Sequence, residues 1–155
     1  MMSYFRGLLS FPFSDRTGRK LSSITCASKR CLGVMKILSS NLERKIHTIL
    51  ENNNVKFDEE HTFPDLVASS GRNLRFDFCV YKDNGDIDYL IEAQGVQHYK
   101  PVQVFGGKKG FYRHRYNDMM KREYCIKHGL ILLSIPYWDE NKVTYSYIMK
   151  ALGRA

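Results

Sequence analysis

Long apolar runs are missing from this 155-residue chain. No stretch approaches the ~20 apolar residues of a membrane-spanning helix, so the sequence predicts no bilayer span. Cysteine is scarce: Cys26, Cys31, Cys79 and Cys125 are too few and too scattered for a disulfide framework. Four residues separate Cys26 from Cys31, but no second Cys or His pair follows at matching spacing, so a zinc knuckle is not indicated. The expectation is a reduced, intracellular protein of the cytoplasm or host-cell cytoplasm. Internal repeats and low-complexity tracts are absent. So is a P-loop: the stretch Phe105-Gly106-Gly107-Lys108-Lys109-Gly110 lacks the preceding strand and the Lys-Ser/Thr ending that cradle phosphate.

Acids are nearly absent from the first forty residues, where seven Lys or Arg stand against Asp15 alone. That quarter supplies most of the formal net charge of +8, and the chain's pI is near 9.4. A basic balance of this size favours an anionic partner, and nucleic acid is the commonest one for a small protein. Residues 1–39 read as a basic arm that tracks phosphates or a packed extension; their Arg- and Ser-rich texture also fits an organellar transit segment. The remainder, 40–155, is the size of one domain, with ordinary hydrophobic (43%) and charged (26%) shares for the chain as a whole.

What is present is concentrated between Leu74 and Tyr99. Leu74–Tyr81 reads as a strand with Asp77 flanked by Phe76 and Phe78. Lys82-Asp83-Asn84-Gly85-Asp86 carries the Asn-Gly pair of tight hairpins. Tyr89–Ala93 forms the return strand, apolar until Glu92 and followed by Gln94. Side chains alternate along a strand, so Glu92 and Gln94 share a face and the hairpin can bring Asp77 beside them. Carboxylates set among apolar neighbours are costly unless a cation or hydrogen bonds compensate. Two of them converging with a polar third group suit a hard divalent cation. Solvated strand-edge acids are the plainer alternative.

Elsewhere, a helix is expected from Ser39 or Ser40, with Leu42, Ile46, Ile49 and Leu50 on one face and Glu43 in the first turn. Asn52-Asn53-Asn54 breaks it, and a strand runs from Val55 towards Pro64. Gly106 and its neighbours read as a mobile basic loop able to close over a ligand. A helix follows over Arg113–His128, with Gly129 as its cap, then a buried strand over Leu130–Ile135 and a last helix over about Asn141–Leu152. The order is that of an α/β sandwich around a mixed central sheet.

Asp77 followed by Glu92-Ala93-Gln94 resembles the metal-binding signature of the PD-(D/E)xK nuclease superfamily, with Gln94 where lysine is commonest. The stretch SNLERKIHTILENNNVKFDEE is similar to the opening of small phage nucleases of that superfamily, among them Holliday-junction resolvases of the endonuclease I type. IEAQGVQHY resembles a stretch of phage and bacterial nuclease-like proteins. The resemblance implies a restriction-endonuclease-like core and a metal-dependent DNA endonuclease, or else a nuclease-fold protein that binds DNA without cutting. It implies a site of Glu43, Asp77, Glu92 and Gln94, with the backbone carbonyl of Ala93 as a further oxygen and Mg²⁺, replaceable by Mn²⁺, as the ion. His98 is the candidate base or shuttle, histidine titrating ordinarily near ~6.5. Lys100 or Lys121 would supply the charge missing at Gln94. Lys108 and Lys109, with those two, are candidate DNA contacts. Asp118, three residues before Lys121, forms an ion pair with it or orients His98. Double-stranded or branched DNA is the expected partner, and a two-strand cut by so small a domain calls for a homodimer. His47, His61, His114 and His128 receive no role.

Overall fold

The structure, a computed structural model, describes residues 40–154. The basic arm of residues 1–39 lies outside the described residues, as do Cys26 and Cys31.

Helix α1 (Asn41–Asn52) begins where its sequence says it should. Ser40 Oγ accepts from the Glu43 amide at 3.1 Å and donates to Glu43 Oε1 at 3.0 Å, satisfying an orphan donor of the first turn. The helix ends at Asn53, and Asn54 takes the left-handed conformation (φ 53°) that asparagine tolerates best after glycine. Strand β1 (Phe57–Val67) runs antiparallel to β2 (Asn73–Tyr81), and β2 to β3 (Ile87–Gln94). The β2–β3 turn closes as expected, with Lys82 N–H donating to Asp86 O at 2.9 Å and Gly85 at φ 91°. After two short 3₁₀ turns, Val96–His98 and Gln103–Phe105, the long helix α2 (Gly107–His128) crosses to β4 (Leu132–Pro136), which pairs with β3 in parallel. A 3₁₀ turn over Tyr137–Asp139 leads to α3 (Tyr145–Ala151). The chain is therefore α/β, with a four-stranded mixed sheet in the order β1-β2-β3-β4.

Three boundaries differ from the sequence reading by three residues or more. The presumed mobile loop at residues 105–110 is largely helical: Gly106 (φ 89°) turns the chain and α2 starts at Gly107, six residues before Arg113. Glycine hid this, because its low helix propensity masks a helix start held by tertiary packing. A Cβ on Gly110 would lie 1.8 Å from the Phe105 carbonyl oxygen, so only glycine allows the close approach that seats the first turn. Strand β1 continues through Pro64 to Val67, which the sheet tolerates because β1 is an edge strand and its pairing is irregular between Thr62 and Val67. Helix α3 starts at Tyr145, since Thr144 Oγ1 accepts from the Tyr147 amide at 3.1 Å and caps it there.

The core lies on both faces of the sheet. Leu42, Ile46 and Leu50 of α1, with Val143 and Ile148 of the α3 region, pack on Phe78, Val80, Tyr89, Ile91, Ala93 and Ile135. Each fully buried aliphatic side chain of this set contributes roughly 1.5–3 kcal/mol. A second cluster joins Leu66, Leu74, Phe76, Cys79 and Leu90 to Cys125 of α2, with Met120 and Tyr124 alongside. The register pairs Cys79 with Leu90, and both belong to the cluster under α2. Glu92, two residues beyond Leu90, consequently looks towards α2 as well. Cys79 and Cys125 are free, buried thiols, and burial pushes Cys125 up to about 11, which leaves it inert. No helix among the described residues is long and apolar enough to cross a membrane.

Candidate functional site

A cleft of about 1070 Å³ opens between the ends of β2 and β3 and one side of α2, and Glu43 of α1, Asp77 of β2 and Glu92 of β3 all line it. The hairpin supplies the central pair. Asp77 Oδ2 accepts the Ala93 amide at 2.7 Å, which fixes the carboxylate against the backbone next to Glu92. Glu92 is 5% exposed, and it is the one buried charged residue among those described. Lys121 reaches it from α2, its Nζ donating to Glu92 Oε1 at 2.7 Å and sitting 5.3 Å from the centre of the Phe76 ring. Burial drives the Glu92 carboxyl up to about 8; the Lys121 ammonium only partly offsets this, and the charges of Asp77 and Asp118 add to it.

His98 stands on the same wall. Its Nδ1 lies 2.8 Å from Asp118 Oδ2, and both side chains are mostly buried. An ionised carboxylate only accepts, so Nδ1 carries the shared hydrogen, and in the neutral ring Nε2 is the basic nitrogen. Asp118 thus orients His98, while Lys121, three residues on, serves Glu92.

Gln94 is placed differently from the acids. Its Oε1 accepts from the Tyr99 hydroxyl, and it lines a smaller groove of about 490 Å³ with Tyr99, Arg115, Tyr116, Met119 and Arg122. His98 and Asp118 border both spaces. Lys100 is exposed, and Lys108 and Lys109 are exposed on the first turn of α2; none of the three lines the cleft. Its basic residues are Arg72, Arg75, Arg113 and Lys121, with Arg75 paired to Glu60 at 3.1 Å.

Sequence reasoning gave His114 no role and did not single out Asn117, and both line the α2 wall. The His114 ring centre lies 5.4 Å from that of His98, and burial, with His98 and Arg113 adding to it, lowers its pKa. Asn117 Oδ1 is buried without a hydrogen-bond partner. The available signal was the polar set Arg113, His114, Asn117, Asp118 and Lys121, which recurs at helical spacing along one side of α2.

A cation site can be judged against this donor set. Among the described residues no three His, Cys, Asp or Glu side chains gather closely enough to hold one ion. Asp77, Glu92 and a backbone carbonyl at Ala93 nevertheless make an all-oxygen set. It fits an ion that keeps several waters and takes the rest of its shell from substrate phosphate, as Mg²⁺ does.

Comparison with known proteins adds sequence relatives without an assigned role. The chain is 31% identical over 95 residues to uncharacterized protein 307L of Invertebrate iridescent virus 6, an alignment covering 58% of this chain and 48% of the relative. It is 39% identical over 70 residues to uncharacterized protein 094L of Frog virus 3 (isolate Goorha), covering 44% of this chain and 43% of the relative. The chain thus spans a little under half the length of these curated relatives. No family model and no solved structure matches it.

Proposed function

We propose that the protein is a metal-dependent DNA endonuclease of the PD-(D/E)xK type, with a restriction-endonuclease-like core. The observation that carries this reading is the apposition of Asp77 and Glu92 on neighbouring strands, with Lys121 Nζ 2.7 Å from Glu92. The element order α1-β1-β2-β3-α2-β4-α3 supports it, as does Glu43 lining the same cleft.

Asp77, Glu92 and the Ala93 carbonyl would hold Mg²⁺, which when bound supplies a Lewis acid for the scissile phosphate and acidifies a water. Lys121 supplies the positive charge that Gln94 does not, beside the phosphate oxygen where negative charge grows. His98, oriented by Asp118, offers Nε2 to take a proton from the attacking water. Arg72 and Arg113 on the cleft wall hold flanking phosphates. A second reading, DNA binding without cleavage, is favoured by one specific observation: Lys121 already pairs with Glu92.

Incubating plasmid and synthetic branched DNA with the protein and Mg²⁺, Mn²⁺ or chelator separates the two. Cleavage is expected with either ion and not with chelator. Asp77→Ala and Glu92→Gln should each remove it while leaving DNA binding nearly unchanged. Cutting at the wild-type rate by either variant defeats the site assignment.

A further inference from the structure

The smaller groove beside the carboxylate cleft has a composition of its own. Its α2 wall presents Arg115, Tyr116, Met119 and Arg122, and the opposite wall presents Gln94 and Tyr99. Tyr99 is 40% exposed and belongs to an aromatic cluster. Its ring centre lies 4.3 Å from that of Trp138 and 6.1 Å from that of Tyr137, and Trp138 is 53% exposed. Tyr116 and Met119 are exposed as well. The Tyr99 ring is held in place, because its hydroxyl donates to Gln94 Oε1 on β3. Exposed, fixed aromatic faces flanked by arginines are the elements with which proteins hold unpaired bases: rings stack on the base while guanidinium groups meet the phosphates. A base in a duplex has both faces covered by its neighbours and cannot use them.

We propose that this groove binds an unpaired nucleotide flanking the scissile phosphate, so that the preferred substrate is DNA with a single-stranded segment or flap. The inference rests on the nuclease reading for the phosphate in the larger cleft, and it names the kind of DNA. His98 and Asp118 form the partition between the two spaces. A strand with its phosphate near Asp77 and Glu92 would therefore pass its next base towards Tyr99, Tyr116 and Trp138. Arg115 and Arg122 on the groove, against Asp118 alone, favour an anionic strand as occupant over a neutral peptide.

Trp138 is the sole tryptophan of the chain and its ring lies against Tyr99 at the edge of the groove, so its fluorescence responds to a base stacked there. The full chain would be titrated in chelator with oligo-thymidine, oligo-uridine and a blunt duplex of equal phosphate number. Saturable quenching by oligo-thymidine is expected, with affinity about tenfold above that for the blunt duplex. Tyr99→Ala and Tyr116→Ala should each weaken oligo-thymidine binding by about tenfold and leave duplex binding within about twofold. Tyr99→Phe keeps the ring and should retain most of the affinity, which separates stacking from misfolding. Equal affinity for duplex and single strand without quenching overturns the proposal, and so does quenching by a proline-rich peptide but not by oligonucleotides. Tighter binding of oligo-uridine overturns DNA as the occupant. A cleavage arm with flap and blunt substrates in Mg²⁺ isolates the other reading. Quenching without any cleavage sinks the nuclease and leaves the platform standing. Equal cutting of both substrates, unaffected by Tyr99→Ala, sinks the platform and leaves the nuclease.

Discussion

Glu92 and Lys121 set the chemistry of the cleft between them. Desolvation pushes the buried Glu92 carboxyl up to about 8, so its ionised form depends on a positive partner. The Lys121 ammonium pulls it back, and under the proposed mechanism the same ammonium would also meet the phosphate oxygen beside Glu92. Lys121→Met should therefore lower the rate of DNA cleavage by about 10²–10³-fold at saturating substrate, the scale of losing one well-placed donor to a developing oxyanion. Lys121→Arg should recover part of it. His98→Ala should cost about 10² in kcat with little change in KM, as expected for a general base; a silent variant would return His98 to a structural role. The carboxylates were legible from sequence, because strand alternation and the Asn-Gly turn place Asp77 and Glu92 together without knowledge of anything else. The source of the charge missing at Gln94 was open between Lys100 and Lys121, His114 was given no role, and Asn117 was not singled out. Recognising them requires knowing which side of α2 meets the sheet, and that helix carries no continuous apolar stripe to reveal it.

Among the elements, α2 and α3 depend on particular anchors that the sequence displayed only in part. Gly110 was read as loop because glycine is a poor helix former, yet its missing Cβ is what lets α2 pack on the Phe105 carbonyl. Gly110→Ala must displace that backbone, and we expect a loss of about 1–3 kcal/mol in chemical denaturation, the usual cost of overpacking. At the other end of the chain, Arg154 follows α3 and clamps it to β3, its Nη2 lying 2.7 Å from Asp88 Oδ1 and its Nη1 on Asp88 Oδ2. The Arg154 hydrogen bonds lower the Asp88 pKa against the opposing effect of partial burial. A depressed carboxyl stabilises the fold above its unfolded value near 3.8 and loses that contribution as pH falls through the folded value. Arg154→Ala should thus reduce stability at pH 7 by about 1 kcal/mol after solvent screening, and the difference from wild type should shrink below about pH 4. A difference that stays constant down to pH 2.5 would rule the ion pair out as its source. Boundaries of this kind were the least visible feature of the sequence, since a cap or a close approach decides them and both are tertiary events.

For the whole molecule, the balance of charge predicts a strongly salt-dependent grip on DNA. Removing residues 1–38, which hold most of the excess positive charge, should weaken binding and flatten its dependence on salt, because fewer phosphate contacts release fewer counterions. An unchanged slope in filter-binding or anisotropy titrations from about 50 to 200 mM salt would dissociate the arm from DNA. The parallel pairing of β3 with β4 has a different consequence, in time rather than space. The β2–β3 hairpin is local and can close within microseconds, whereas Leu90 finds Leu132 only after the whole of α2 has been threaded between them. We expect the hairpin to set Asp77 beside Glu92 early in folding, and docking of α2 to bring Lys121 to Glu92 afterwards. A helix that equips the cleft for its chemistry also completes the folding of the strands beneath it.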